Sequence, residues 1–79
     1  MKWCIRAWSK EFQKYFYLTM IWTAHGSVDM TSDESDSRVL YDTIEQAWSV
    51  INRWKVDGRD APFWKRAEPF AYNPIGGDK

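Results

Sequence analysis

The sequence predicts an α+β fold in which an antiparallel sheet of three to four strands packs one face against a single helix, in the order β-β-β-α-β. Two observations carry this prediction. Residues 15–24 alternate between two faces rich in aromatic and β-branched side chains, as a strand does. Residues 42–58 instead repeat apolar side chains at the spacing of a helix.

The strands are predicted from period-two alternation. Residues 3–8 form the first strand, with Trp3, Ile5 and Ala7 on one face, and residues 9–13 form a hairpin connection. Residues 28–30 extend or resume the second strand, residues 38–41 form a short third strand, and residues 63–68 form the fourth. One face of the second strand is expected to cover the helix and consists of Phe16, Leu18, Met20, Trp22 and Ala24.

The helix has clear signals at both ends. Asp42 or Thr43 can accept from a free backbone N–H of the first turn, with Glu45 or Gln46 as the reciprocal partner of a capping box. Gly58 can adopt the left-handed conformation that ends a helix. The apolar stripe comprises Ile44, Ala47, Trp48, Ile51 and Trp54. Trp22, Trp48 and Ile51 are expected in the core.

The chain is predicted to be one domain spanning residues 1–79, with a core of about 1–68. Residues 69–79 are expected to be an irregular C-terminal tail because they contain Pro69, Pro74 and the Gly76–Gly77 pair. The single cysteine excludes an intramolecular disulfide, and no apolar run is long enough to span a bilayer. These features predict a protein of the cytoplasm, or of the host cytoplasm if phage-encoded, with no membrane partner.

Composition indicates a binding protein. Six Trp, four Tyr and four Phe in 79 residues exceed the needs of so small a core, so some rings should be exposed contact residues. The net charge of zero argues against purely electrostatic binding of nucleic acid. The charge is unevenly spread, since residues 1–28 are mainly basic and residues 29–45 mainly acidic, which predicts a dipolar surface.

The sequence predicts no catalytic site, metal or cofactor. Cys4 and His25 are the only thiol and the only imidazole, which is too little for a nucleophilic triad or a structural zinc site. A calcium loop starting at Asp29 would have Glu34 where the loop needs glycine and Leu40 where it needs glutamate.

Two surfaces are candidate contact sites. Arg6 and Trp8 share one face of the first strand, and Tyr15 and Tyr17 share one face of the second. Pairing of those strands would form a plate of rings on which bases or partner side chains stack. A basic rim would come from Lys65 and Arg66. The alternative is that the C-terminal aromatic residues cover this plate as a second core; they are Phe63, Trp64, Phe70 and Tyr72.

The second candidate is acidic and comprises Asp29, Asp33, Glu34 and Asp36. It is interpreted either as a solvated loop or as an anionic patch. Such a patch would dock on a basic surface of a protein that handles nucleic acid, where it mimics phosphate charge.

Residues 38–47, which read Arg-Val-Leu-Tyr-Asp-Thr-Ile-Glu-Gln-Ala, resemble the last strand and helix start of the DNA-binding domains of plant AP2 factors and integrase arms. That resemblance implies a sheet that reads the major groove. In size, aromatic content and charge segregation the chain is similar to small phage-encoded inhibitors of the anti-CRISPR type. This likeness implies a protein that occupies a surface of a larger bacterial complex, such as a CRISPR effector.

Together these observations predict a small non-catalytic binding protein. The leading hypothesis is an inhibitor that occupies a nucleic-acid-binding surface of a larger bacterial complex. The alternative is a DNA- or RNA-binding module that uses the aromatic and basic sheet face directly, and would then bind oligonucleotides in a salt-sensitive way. Open sheet edges also make a homodimer an alternative to a monomer.

Overall fold

The computed structural model describes residues 1–22, 24–32, 38–57 and 61–72. Four strands form one antiparallel sheet in the order β3-β2-β1-β4. The elements in chain order are β1 (Lys2–Ser9), β2 (Lys14–Trp22), β3 (Ser27–Thr31), α1 (Ile44–Asp57), α2 (Ala61–Arg66) and β4 (Ala67–Tyr72). The predicted α+β fold and its β-β-β-α-β order are confirmed, with α2 as an additional short helix.

The connection between β1 and β2 is a tight turn. The backbone N–H of Gln13 donates to the carbonyl of Ser9 at 2.8 Å, and the N–H of Phe12 donates to the Ser9 hydroxyl at 3.2 Å. Gln13 has a positive φ of 58°, which lets the chain reverse within four residues. The hairpin predicted at residues 9–13 is confirmed, and its turn places Phe12 at the end of the sheet.

Strand β2 contains a β-bulge, and the residues after it point to the other face of the sheet than the alternation before it would predict. Leu18 pairs with Met30 of β3, but Met20 pairs with Asp29, so β2 has one extra residue between the two pairs. Each side chain after such an insertion points to the face opposite to the one that uninterrupted alternation would give it. Leu18 is therefore buried under the helices before the bulge, and Ile21 packs against the same core after it.

The predicted inner face of β2 is correct only for its first half. Phe16 and Leu18 lie on the helix side, whereas Met20 and Trp22 lie on the other side with 45% and 50% of their surface exposed. Ala24 is an exposed turn residue. The expectation that Trp22 belongs to the core was wrong because the alternation in the sequence continues unbroken through the bulge.

The bulge predicts an unusual order of stabilities for two neighbouring variants. Ile21→Ala should lower the free energy of unfolding by about 1–2 kcal/mol because Ile21 packs against the core. Trp22→Ala should lower it by less than about 1 kcal/mol although it removes more atoms, because half of that side chain is already in water. Urea unfolding measures both values. The reverse order would mean that Trp22 faces the helices and that β2 has no bulge.

Residues 38–41 do not form the third strand, which is a correction to the prediction. Trp3 and Tyr41 exchange two backbone hydrogen bonds of 2.9 and 2.8 Å, and the N–H of Val39 donates to the carbonyl of Leu18 at 3.1 Å. Strands β1 and β2 pair only at their hairpin end, so this segment fills the opening between them. The third strand is β3, which contains the residues 28–30 predicted to extend or resume the second strand.

Helix α1 begins with the predicted capping box. The N–H of Gln46 donates to the Thr43 hydroxyl at 3.2 Å, and the Gln46 side-chain oxygen accepts from the N–H groups of Thr43 and Asp42 at 3.3 and 2.9 Å. Asp42 also forms an ion pair with Lys2, which lowers the pKa of its exposed carboxyl. The predicted C-terminal signal, Gly58, lies outside the described residues.

The apolar face of α1 covers the sheet. Ala47 and Ile51 are completely buried and Trp54 nearly so, which confirms Ile51 as a core residue. Trp48 is 40% exposed and stands at the margin of the stripe, so its predicted place in the core was wrong. The core cluster consists of Ile5, Ala7, Leu18, Ala47, Ile51, Trp54, Phe63, Trp64 and Ala67.

Residues 61–66 form α2, although a strand had been predicted at residues 63–68. Pro62 is the second residue of this helix, where the fixed φ of proline suits the first turn. Trp64 is completely buried, and its indole N–H donates to the carbonyl of Gly26 at 2.9 Å. Helix α2 is thereby joined to the turn between β2 and β3.

Strand β4 follows α2 without a loop and pairs with β1. It reaches Tyr72, so residues 69–72 belong to the sheet and not to an irregular tail as predicted. Pro69 is tolerated because β4 is an edge strand. Within the described residues no further strand pairs with its outer side, so the missing N–H of proline costs no hydrogen bond there. Residues 73–79 lie outside the described part of the chain. No helix in the described ranges is long and apolar enough to cross a bilayer.

Candidate functional site

The face of the sheet opposite the helices brings together four of the predicted contact residues. Arg6 pairs with Tyr17 and Trp8 pairs with Tyr15 across β1 and β2, and directly opposed side chains in an antiparallel pair share one face. Strand β4 adds Glu68 beside Arg6 on the other flank. The predicted strand pairing is correct, and the accessibility of these side chains decides what the face can bind.

Arg6 is held by three neighbours. Its guanidinium carbon lies 3.8 Å from the ring centroid of Tyr15 and 3.9 Å from that of Phe70, so the two rings enclose it. Its Nε donates to a Glu68 carboxylate oxygen at 2.8 Å. Burial is the largest single influence on the pKa of Arg6 and lowers it, but the interactions with Glu68, Tyr15 and Tyr17 together raise the pKa above its usual value. Arg6 is therefore a half-buried cation on the sheet face, held between two rings and a carboxylate.

Arg38 repeats this arrangement along the same face. Its guanidinium lies 4.0 Å from the ring centroid of Tyr17 and 5.2 Å from that of Tyr72. Tyr17 is only 6% exposed and its ring is 6.2 Å from Phe70, which links the two arginine sites. We call this set of two arginines and four rings the arginine ladder; it comprises Arg6, Arg38, Tyr15, Tyr17, Phe70 and Tyr72.

The arginine ladder agrees in part with the predicted second core. Phe70 and Tyr72 cover the sheet face as part of β4, whereas Phe63 and Trp64 lie on the helix side. Arg38 and Glu68 are ladder contacts that the sequence-based prediction missed. The alternation of Glu68, Phe70 and Tyr72 would have indicated the β4 contribution, but the strand had been placed too early in the chain.

Cys4 lies under the ladder and is buried. Its thiol donates to the carbonyl of Phe70 at 3.4 Å, and Arg38 Nη1 lies 3.9 Å from its sulfur. Burial raises the pKa of the Cys4 thiol, although the nearby Arg38 opposes the shift. His25 accepts a hydrogen bond at Nδ1 from the backbone of Ser27 at 3.3 Å. Both side chains therefore have structural contacts.

An apolar groove opens at the end of the sheet where β1 turns into β2. It encloses about 250 Å³. The end of β1, the following turn, the start of β2, β3 and α2 all contribute to its walls. The principal lining side chains are Trp8, Phe12, Phe16, Met30, Phe63 and Arg66. We call this feature the end groove.

Ring contacts hold the walls of the end groove. Trp8 meets Tyr15 edge-on at a centroid distance of 4.9 Å, and Phe12 meets Phe16 at 5.7 Å. Phe12, Trp8 and Met30 nevertheless remain exposed. Ring contacts therefore hold the walls of the groove in place, while several of its apolar side chains remain in contact with water. These two properties are typical of a binding surface.

Two of the six predicted contact residues, Trp8 and Arg66, meet in the end groove. Lys65 is exposed on α2 but does not line it. Of the acidic candidate, Asp29 is an exposed residue of β3 opposite Met20. Asp33, Glu34 and Asp36 lie outside the described residues.

Comparison of the chain with protein-family models, with curated proteins and with solved structures finds no match.

Proposed function

We propose that the protein is a non-catalytic binding protein whose main contact surface is the end groove. The observation that supports this is the concentration of exposed apolar side chains, Trp8, Phe12 and Met30, around one supported concavity. Keeping such side chains in water is unfavourable by about 25 cal/mol per Å² of apolar surface, and covering them on binding recovers that free energy. Contact residues of this type dominate the affinity of protein interfaces.

The arginine ladder contributes to this function as a rigid support. The charge of Arg6 is matched by Glu68, and Tyr17 is buried, so neither side chain is available for stacking with a base or a partner residue. The proposed contact surface is therefore the end of the sheet and not the centre of its face. There Trp8 contacts the ladder ring Tyr15 and lines the groove.

The more specific proposal is an inhibitor of the anti-CRISPR type that occupies a nucleic-acid-binding surface of a bacterial complex in the host cytoplasm. It rests on the likeness in size, aromatic content and charge segregation. Asp29 and the acidic residues after it would be the second contact, on a basic surface of that complex. The alternative is a DNA- or RNA-binding module, with Trp8 as a stacking ring and Arg66 as a phosphate contact.

Capture of a partner from bacterial lysate tests the proposal with a matched pair of variants. Met30 lines the end groove, and Met20 is a similarly exposed methionine on the opposite face of the sheet. We expect Met30→Ser to weaken capture of the partner about tenfold, and Met20→Ser to leave it within about twofold. Equal capture by both variants, with the fold intact, would remove the end groove as the contact surface.

Titration with short single- and double-stranded oligonucleotides separates the two function classes. Tryptophan fluorescence should stay unchanged at low salt and at about 0.2 M salt if the partner is a protein. Strong quenching that disappears at the higher salt concentration would favour the nucleic-acid module. Trp8→Ala would then show whether the end groove carries the contact.

A further inference from the structure

The size of the end groove limits what it can receive. At about 250 Å³ it lies below the range of about 300–1,000 Å³ that is usual for cofactor and small-molecule sites. It suits one large side chain of a partner, inserted as the central residue of an interface. Its walls are rings and a methionine, which pack well against another aromatic or long aliphatic side chain.

The described charged residues in and beside the turn and helix that line the end groove are mainly basic. Among the described residues, Arg66 is the only ionisable side chain in the lining of the groove, and it forms no ion pair with any of them. Lys10 and Lys14 stand on either side of Phe12 along the chain, and Lys14 pairs with the lining residue Ser9. Glu11 is the only acid in that turn. A partner segment with acidic residues would therefore be attracted to the groove.

We propose that the end groove binds a partner segment in which one bulky apolar residue is flanked by acidic residues. This inference rests on the proposed function, because it names the partner chemistry of the same groove. The apolar side chain fills the space between Phe12, Met30 and Phe63 and removes the exposed surface of Phe12 and Met30 from water. A carboxylate next to it pairs with Arg66, whose planar guanidinium donates to both carboxylate oxygens at once.

Three labelled peptides test the inference by fluorescence anisotropy. The first has a central tryptophan between aspartates, the second replaces tryptophan with alanine, and the third replaces the aspartates with lysines. We expect the first to bind the full chain with a dissociation constant below about 1 mM. The alanine and lysine peptides should each bind at least about tenfold more weakly. The preference over the lysine peptide should shrink at high salt.

Two charge-reversal variants locate the site. Arg66→Glu should weaken binding of the acidic tryptophan peptide about tenfold, whereas Lys65→Glu should change it less than about threefold. The two residues are adjacent, exposed and equal in charge, but only Arg66 lines the groove. Equal effects of both substitutions would mean a general electrostatic attraction and would overturn the assignment. Equal affinity for all three peptides, or binding of none, would overturn it as well.

The outcomes distinguish this inference from the proposed function. If no peptide binds while Met30→Ser still weakens capture of a protein partner more than Met20→Ser does, the groove is a protein-binding site for a segment of different chemistry. If Met30→Ser and Met20→Ser behave alike and the peptides also fail, the end groove is not a binding site and both proposals fall. Preferential binding of the acidic tryptophan peptide supports the two together.

Discussion

Replacing Trp64 with alanine should lower the free energy of unfolding by about 3–5 kcal/mol, the largest effect of any tryptophan substitution in this chain. Trp64 is completely buried between the helices and the sheet. The substitution opens a cavity and also leaves the carbonyl of Gly26 without its indole donor. A domain of this length has only about 4–12 kcal/mol of stability in total, so a large fraction of the variant should be unfolded.

Trp48→Ala is the matched control, because it removes the same atoms from a side chain that is 40% exposed on α1. It should cost less than about 1 kcal/mol. Trp64→Phe retains most of the volume but loses the hydrogen bond to Gly26, and should cost about 1–3 kcal/mol. Thermal and urea unfolding followed by circular dichroism measures all three. Similar losses for Trp48→Ala and Trp64→Ala would show that α2 does not pack as described.

Local sequence patterns predicted the elements with strong local signals. The turn at residues 9–13 and the capping box of Thr43 and Gln46 depend on neighbours within four residues, and both were found. The third strand was misplaced because residues 38–41 acquire their pairing from Trp3 and Leu18, which are far away in the chain. Helix α2 has one propensity signal, Pro62 in its first turn, and the aromatic residues after it favour a strand equally well.

The sequence predicted which side chains share the sheet face, but it did not predict how accessible those side chains are. Arg6, Trp8, Tyr15 and Tyr17 do share one face, since strand alternation and hairpin register determine that. The sequence does not show that β4 brings Glu68 and two more rings onto this face, because the residues of β4 pair with residues of β1 that are sixty or more positions away. The end groove was not predicted either, since its lining comes from three stretches far apart in the chain, residues 7–16, residue 30 and residues 62–66.

Replacing Arg6 with alanine should lower the free energy of unfolding by about 2–3 kcal/mol, a large effect for an arginine on a sheet surface. Contact with each ring contributes about 0.5–2 kcal/mol, depending on how far the guanidinium is removed from water. The partly exposed ion pair with Glu68 adds at most about 1 kcal/mol. The substitution also removes the aliphatic stem that packs between Tyr15 and Phe70. Urea unfolding measures the loss.

Arg53→Ala is the control for this substitution, because Arg53 makes one ring contact, at 4.7 Å from Trp54, on the exposed side of α1. It should cost less than about 1 kcal/mol. Arg6→Lys keeps the charge but not the planar stacking, so its loss of unfolding free energy should lie between those of Arg6→Ala and Arg53→Ala. If Arg6→Ala costs no more than Arg53→Ala, the arginine ladder is not a structural support. Arg6 would then be available to a partner, and the open sheet face would regain its place as a candidate contact surface beside the end groove.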